Sequence, residues 1–394
     1  MNQSRKLRIL LVNDHLGWGS QIHGVARLFQ LWASHLDTAR FQVMICILSP
    51  RDSQPALVPG AAPDPSGSPD SPDSPDSPCT VHLERSRYNP LLLPDLVRLI
   101  RREHIDVLHL QGYRGTALGK LAGMLTGIPV VVHYHDTADY YPLVQRLSDL
   151  LLGRRGQVHL AVSESARRCW AQRCGLSPER IQVLYNCVDT AAFTRVPAGR
   201  VQGMRRQLGI APGAPVVGSV TRLFPGKGTR YLLDAAAAVL KRRPGTVFVI
   251  VGDGPLRADL EAQARRLGIQ GQVVFTGFAQ EVAPLLALFD LMVLTSYREG
   301  GSPLPVLEAM AMGLAVIVTD EVEIIEPDTT GVVIPARDPA LLADSISTLL
   351  AHPEQARRLG ANARVAACAF DVRGYVQSLG GIYGGLVQHG EVAA

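Results

Sequence analysis

The chain has 394 residues, 47% of them hydrophobic, enough apolar material for two ordinary cores. Lys and Arg number 39 against 35 Asp and Glu, a formal charge of +4, which gives no support for nucleic-acid binding. Six cysteines at no metal or redox spacing read as free thiols in a reducing cytosol, and the absence of any run of about 18 apolar residues argues against a transmembrane helix.

Near the N-terminus, Leu7 to Val12 reads as a first strand, since its short apolar run (Ile9 to Val12) carries no cleavage signal. A loop holding Gly17, Gly19 and Gly24 follows, then a helix over Val25 to Leu36 and a strand over Phe41 to Leu48. Pro63 to Pro78 repeats Ser-Pro-Asp without one apolar residue, so it predicts a disordered loop insertion within about 52–80. Alternation resumes with helices over Leu91 to Arg102, Thr116 to Leu125, Leu143 to Leu152 and Glu164 to Arg173. Between and after them lie strands over Val107 to Leu110, Val130 to His133, Val158 to Val162 and Ile181 to Leu184. Such alternation argues for a parallel, doubly wound sheet.

Thr190 to Pro215 is rich in Pro and Gly, lacks a sustained strand and reads as a linker. A second alternation starts with strands over Val216 to Val220, Val247 to Val251, Val273 to Thr276 and Leu291 to Leu294. Its helices are expected over Arg230 to Arg242, Pro255 to Leu267 and Val282 to Phe289. Helices over Pro339 to Leu350, Pro353 to Ala366 and Val372 to Val387 close the chain. The predicted division is 1–195, 196–370 and a C-terminal helix in 371–394 that packs back on the first domain. Two such halves would face each other across a cleft, with ligands at the carboxyl ends of their strands.

Ser296 to Asp320 carries the most chemistry. A Gly/Ser/Pro turn (Gly300, Gly301, Ser302) leads into a helix and then an apolar strand, Leu314 to Thr319. Such a turn at a helix N-terminus offers backbone N–H groups to an anion. Glu299 and Glu308, in contrast, suit hydroxyls, so phosphate and sugar chemistry meet in one segment. In VTRLFPGKG, Arg222 and Lys227 follow a strand and can clamp a diphosphate; the plainer account is an exposed basic loop. Lysine occurs only at Lys6, Lys120, Lys227 and Lys241, and at Lys227 a compact point charge is available. VGDGP lacks the third glycine of a dinucleotide fingerprint, and so does the run from Gly17 to Gly24. His133 and His135 point to one side of their strand end and Asp136 to the other, which favours a polar wall over a metal site. Asn186 and Asp189 read as turn residues.

In their order, these blocks resemble a family 4 retaining glycosyltransferase of the GT-B fold (glycosyl transferases group 1). DVLHLQG, PVVVHYHD, AVSES and YNCVD resemble its acceptor-side blocks; VTRLFPGKG, VGDGP, VVFTGF and SYREGGSPLPVLEAMAMGLAVI resemble its donor-side blocks. The resemblance covers nearly the whole chain except the Ser-Pro-Asp insertion. It implies an α/β chain with two Rossmann-like doubly wound parallel-sheet domains. Arg222 and Lys227 would bind the donor diphosphate and Glu308 the ribose hydroxyls. Glu299, with Gly300, Gly301 and Ser302, would meet the transferred sugar and phosphate. Phe278 would lie near the base, His135 near the anomeric carbon, and Gly24 beside donor phosphate and acceptor. Three departures stand out: eight residues rather than seven separate Glu299 from Glu308, TDEVE replaces a Gly-Gly-x-x-Glu block, and NCVD replaces Asn-Gly-Val-Asp.

The expected activity is sugar transfer from a UDP- or GDP-linked donor to a glycan or lipid-linked acceptor hydroxyl, with retention, in polysaccharide, glycolipid or other glycoconjugate synthesis. No cofactor and no metal are expected, in keeping with the lack of an Asp-x-Asp motif. The expected location is the cytoplasm, with peripheral contact to an anionic inner membrane face as an extension of the mild basicity. Two other readings remain open: a non-catalytic GT-B partner subunit, and a nucleotide-sugar epimerase of the same architecture.

Overall fold

The computed structural model describes residues 5–14, 17–18, 21–22, 24–49, 79–83, 89, 91–137, 149–152, 158–193 and 196–390. The Ser-Pro-Asp repeat lies outside them, as does most of the helix expected over Leu143 to Leu152. The chain forms two compact units, one of residues 1–184 with 372–394 and one of residues 185–371. The division thus falls between Leu184 and Tyr185, ahead of the 195/196 boundary read from sequence. Local bonding explains the position: Val188 bridges to Asp371, and the Thr190 hydroxyl and amide both donate to the Asp371 carboxylate.

The first unit is built on a parallel sheet of seven strands. They are β1 (Leu7–Asn13), β4 (Phe41–Ile47), β5 (Cys79–His82), β6 (Val107–Leu110), β7 (Val130–Tyr134), β8 (Val158–Ala161) and β9 (Ile181–Val183). Their order is β5-β4-β1-β6-β7-β8-β9. A separate two-strand ribbon pairs β2 (Gly17–Trp18) with β3 (Gln21–Ile22). The central strands bury both faces, as parallel strands covered by helices must, and are apolar apart from a few buried polar residues such as His109 and His133. One face, with Leu10, Leu108, Leu110 and Val132, packs against α2 (Leu92–Arg102), α3 (Tyr113–Thr126) and α4 (Glu164–Cys174). At Gly119 of α3 a Cβ would come within 2.2 Å of Leu110, so the missing side chain allows close helix–sheet contact. The other face receives α1 (Gly24–His35) and the terminal helix Val372–Gly390, which contact each other.

The second unit has a six-strand parallel sheet of β10 (Val216–Val220), β11 (Val247–Val251), β12 (Val273–Gly277), β13 (Leu291–Leu294), β14 (Ala315–Thr319) and β15 (Val332–Ile334). Their order is β12-β11-β10-β13-β14-β15. Apolar clusters occupy both faces of this sheet. Its helices are α5 (Ala198–Gln207), α6 (Thr229–Arg242), α7 (Arg257–Arg266), α8 (Ala283–Leu286), α9 (Leu304–Met312), α10 (Pro339–Ala351) and α11 (Pro353–Ala367); the terminal helix of the first unit is α12.

Several elements correct the sequence reading. The segment taken as a linker contains α5, whose run AGRVQGMRRQ has two glycines and only a thin apolar edge, Val201 and Met204, to announce it. The helix expected over Val282 to Phe289 is a single turn, α8, entered through Pro284. Strands β5 and β15 were not expected; they lie at sheet edges and are four and three residues long.

Candidate active site

In the second unit the strand order reverses between β10 and β13. β10 leads through α6 to β11 on one side, while β13 leads through α9 to β14 on the other. A doubly wound sheet opens a crevice at this switch, at the carboxyl ends of its strands. The loops that leave β10 and β13 there are VTRLFPGKG and SYREGGS.

Backbone bonds join the two loops. The Tyr297 amide donates to the Gly226 carbonyl at 3.0 Å, and the Thr295 hydroxyl donates to the Lys227 carbonyl at 3.2 Å. Gly228 ends the Pro225–Lys227 turn at φ +66°, and a Cβ there would meet the Thr295 carbonyl oxygen at 2.0 Å. The side chains meet as well. Lys227 Nζ lies 2.5 Å from Glu299 Oε1, with 18% and 9% of the two side chains exposed. The Arg222 guanidinium sits 5.3 Å from the centre of the Phe224 ring. Desolvation lowers the Arg222 pKa and the Glu299 carboxylate raises it, so Arg222 also feels the acid that pairs with Lys227. Two cations and one carboxylate therefore occupy the switch point.

The turn after Glu299 is tied down on two sides. Gly301, at φ +82°, bridges to Val322, and its carbonyl accepts from the Glu323 amide at 2.8 Å. The shortened TDEVE segment is thus in direct backbone contact with the glycine turn. Asn186 holds the next residue: its Nδ2 donates to the Ser302 carbonyl at 2.8 Å and its amide donates to the Ser302 hydroxyl at 3.1 Å. Sequence reasoning gave Asn186 only a turn role. Its spacing before a second domain carries no signal for a partner 116 residues away.

α9 alters one expectation. Pro303 caps it and Pro305 is its second residue, so neither supplies an N–H, and the Val306 and Leu307 amides turn back to the Pro303 carbonyl. The terminus is poorer in donors than a generic glycine turn, which leaves more of an anion's charge to Arg222 and Lys227. Glu308, in the second turn of α9, is 3% exposed among Leu307, Ala309 and Met310. Phe278 follows β12 at the same sheet end and is 40% exposed, a large apolar side chain left open to solvent.

The remaining predicted residues belong to the first unit. Gly24 is the exposed first residue of α1. His135 follows β7 directly and packs against His133, with ring centres 4.2 Å apart and the planes tilted by 40°. Burial pushes its pKa down to about 3. His109, on β6, was not singled out in the sequence, yet it joins the same group: its Nε2 lies 3.3 Å from His133 Nδ1. Burial, then the nearby His135, pushes His109 down to about 3. No group of three or more His, Cys, Asp or Glu suited to a metal ion occurs among the described residues.

Two family models meet between residues 192 and 201, a little beyond the 184/185 division of the fold. Residues 22–192 match the Glycosyltransferase Family 4 model and residues 201–366 match Glycosyl transferases group 1. The chain is 31% identical to the alpha-D-kanosaminyltransferase of Streptomyces kanamyceticus, over 67% of this chain and 72% of that protein.

The chain belongs to the glycosyl transferases group 1.

This glycosyltransferase is also similar to the Escherichia coli UDP-Gal:alpha-D-GlcNAc-diphosphoundecaprenol alpha-1,3-galactosyltransferase. The two are 28% identical over 58% of this chain and 61% of that one, so the match spans about six tenths of the relative's length. In fold, the glycosyltransferase superposes on Anabaena HepE in complex with UDP-glucose with a TM-score of 0.80, at 21% identity, over 96% of this chain and 100% of that chain. HepE is one of several GT-B glycosyltransferases of like architecture, and the fold is GT-B. Among the described residues, no helix of this glycosyltransferase is long and apolar enough to cross a membrane.

Proposed function

We propose that this glycosyltransferase takes a sugar from a nucleoside-diphosphate sugar, with UDP as the preferred nucleotide, and transfers it with retention to a hydroxyl of a glycan or lipid-linked acceptor. The observation that carries the reading is the meeting of Arg222, Lys227 and Glu299 at the β10/β13 switch point, beside the N-terminus of α9. The name of the E. coli relative specifies UDP-Gal, and the HepE structure holds UDP-glucose, which favours a uridine donor.

In this reading, negative charge builds on the departing diphosphate as the glycosidic bond breaks. Arg222 and Lys227 meet that charge where it develops, a placement that lowers the barrier without reorganisation. Lys227 spends one of its three N–H donors on Glu299 and keeps two for phosphate oxygens. Glu299 thereby aims the ammonium group and stands close to the sugar that is leaving. Glu308 accepts from the ribose hydroxyls, and Phe278 offers its exposed ring to the base. Gly24 and His135 serve the acceptor and the anomeric centre from the first unit. Retention follows from departure and attack on one face of the sugar. The peripheral contact with an anionic membrane face belongs to the same proposal, since it brings a lipid-linked acceptor within reach.

A panel of UDP- and GDP-sugars, read by thermal shift and by donor turnover, tests the reading. UDP-sugars should raise the melting temperature most. Lys227→Ala should lower kcat about 10²- to 10³-fold, the cost of removing one preorganised group at a developing charge. Unchanged turnover in that variant would remove Lys227 from the diphosphate site.

A further inference from the structure

Behind the loops that carry Lys227 and Glu299, one residue sits in an uncommon backbone conformation. Among the described residues, three other than glycine have positive φ: His104 at +49°, Asp328 at +59° and Arg337 at +66°. His104 and Asp328 lie in turns that lead into β6 and β15. Arg337 instead follows β15, at the carboxyl end of the second sheet. A left-handed backbone is unfavourable for a long side chain, and it persists only where neighbours impose it. Here they do. The Asp320 carboxylate accepts from the Ala336 amide at 3.1 Å, and the Asp338 side chain caps α10 by accepting from the Leu341 amide at 2.9 Å. Arg337 is thus pinned from both sides.

The fold itself does not call for an arginine there. Glycine would take the same φ without strain, and Arg337 is exposed, so burial does not account for it. Its guanidinium lies 4.2 Å from the centre of the Tyr297 ring. On another side that ring meets Tyr231 edge-on, at 6.2 Å and 77°. Tyr231 belongs to the first turn of α6, where its amide donates to the Gly228 carbonyl at 2.9 Å. The backbone of Tyr297 donates to the Gly226 carbonyl, and two residues further on Glu299 holds Lys227. One ring is therefore held between the loop after β15 and the start of α6, and its own backbone is bonded to the Pro225–Lys227 turn.

We infer that Arg337 and Tyr297 are positioning residues of the proposed donor site: the guanidinium clamps the Tyr297 ring, and the ring fixes SYREGG against the Pro225–Lys227 turn, so that the Lys227–Glu299 pair is in place before the donor arrives. The inference rests on the proposed diphosphate role of Lys227. Arg337 acts through Tyr297, not by contact with the donor. Preorganisation of this kind matters most where charge develops, so its loss falls on kcat more than on the KM for donor.

Substitutions at 337 in the full-length protein separate this role from a structural one, because they move stability and rate in different directions. Arg337→Gly relieves the left-handed strain as it removes the ring contact, so it should melt no more than about 2 °C below the wild type. Its kcat with the UDP-sugar that the wild type turns over should fall about fivefold, the rate equivalent of one cation–ring contact, with KM changed less than about twofold. Arg337→Lys keeps both a cation and the strain. It should retain more of the rate than Arg337→Gly, at no higher melting temperature. Tyr297→Phe should keep most of the rate and Tyr297→Leu lose it, and adding Arg337→Gly to Tyr297→Leu should lower it little further. Hydrogen exchange gives a reading without turnover: in Arg337→Gly the Tyr297 amide should exchange about fivefold faster while the amides of β13 hold. Wild-type kcat in Arg337→Gly, a rate loss that only tracks melting temperature, or unchanged exchange at Tyr297 overturns the inference. If Lys227→Ala keeps full turnover, or no donor is turned over, the proposed function fails instead, and the exchange result alone decides whether Arg337 holds the loop.

Discussion

Gly228 shows how one residue type underlies the geometry of the proposed donor site. At φ +66° an L side chain is already strained, and a Cβ would reach the Thr295 carbonyl oxygen at 2.0 Å. The carbonyl belongs to the end of β13, so a clash there pushes the Pro225–Lys227 turn away from the segment that carries Glu299. Gly228→Ala is expected to cost more than about 1 kcal/mol of stability, because the backbone conformation itself disfavours it. It should also lower kcat/KM for the donor more than tenfold, since Lys227 loses its place beside Glu299. Denaturant melts and steady-state kinetics on the same preparation check both. A variant with wild-type kcat/KM would show that the turn need not hold Lys227 in position.

Among the elements, β6, β7 and α12 bury His109 and His133, with His135 partly buried beside them at the end of β7, and this has a pH consequence. Burial pushes His109 and His135 down to about 3 and holds His133 well below its ordinary value. In the unfolded chain each titrates near 6.5. Between those values the unfolded state binds protons that the folded state does not, so stability rises with pH there. The contribution is fully present above about pH 6.5 and is lost as pH falls toward 3, at about 1.4 kcal/mol per pH unit for each histidine that stays neutral. Hydrogen exchange at pH 7 and pH 5, corrected for intrinsic rates, should show the amides of β6 and β7 losing protection while those of β10 and β13 hold. Equal losses in both units would show that the histidine layer is not the cause. How much of this was legible in the sequence depended on range. β1, β7, β10 and β13 announce themselves as apolar runs, because a strand buried on both faces needs little else. α5 does not, since only Val201 and Met204 of its ten residues turn toward the core, too few to stand out among its polar and glycine residues. Lys227 and Glu299 were each visible as chemistry, but their pairing depends on the switch point, a property of strand order. Asn186 and His109 act through partners 116 and 274 residues away, at Ser302 and Tyr383 respectively, and no local pattern encodes such partners.

At the scale of the whole molecule, the elements proposed to bind the donor lie in a unit that closes on itself. Residues 185–371 bury both faces of their own sheet, one cluster around Phe289, Met310 and Val316 and the other around Leu233, Phe248 and Ile317. The two ends of the segment meet, with Val188 bridged to Asp371 and Thr190 bonded to the same carboxylate. A segment with joined ends and its own core has what independent folding requires. Arg222, Lys227, Phe278, Glu299 and Glu308 are all inside it, as is Asn186, which holds the Ser302 turn. Expressed alone, 185–371 should therefore unfold cooperatively and bind UDP with a dissociation constant within about tenfold of the full chain, or about 1.4 kcal/mol. Calorimetric titration with UDP measures this, with the Lys227→Ala form of the fragment as its control. A folded fragment that does not bind UDP would move the nucleotide site away from the β10/β13 switch and overturn the assignment of Arg222 and Lys227. The converse fragment should behave differently. Ending the chain at Asp371 removes α12, and with it the cover over Trp32, His109 and Phe41, so the first unit loses a wall of its core while the second keeps all of its own.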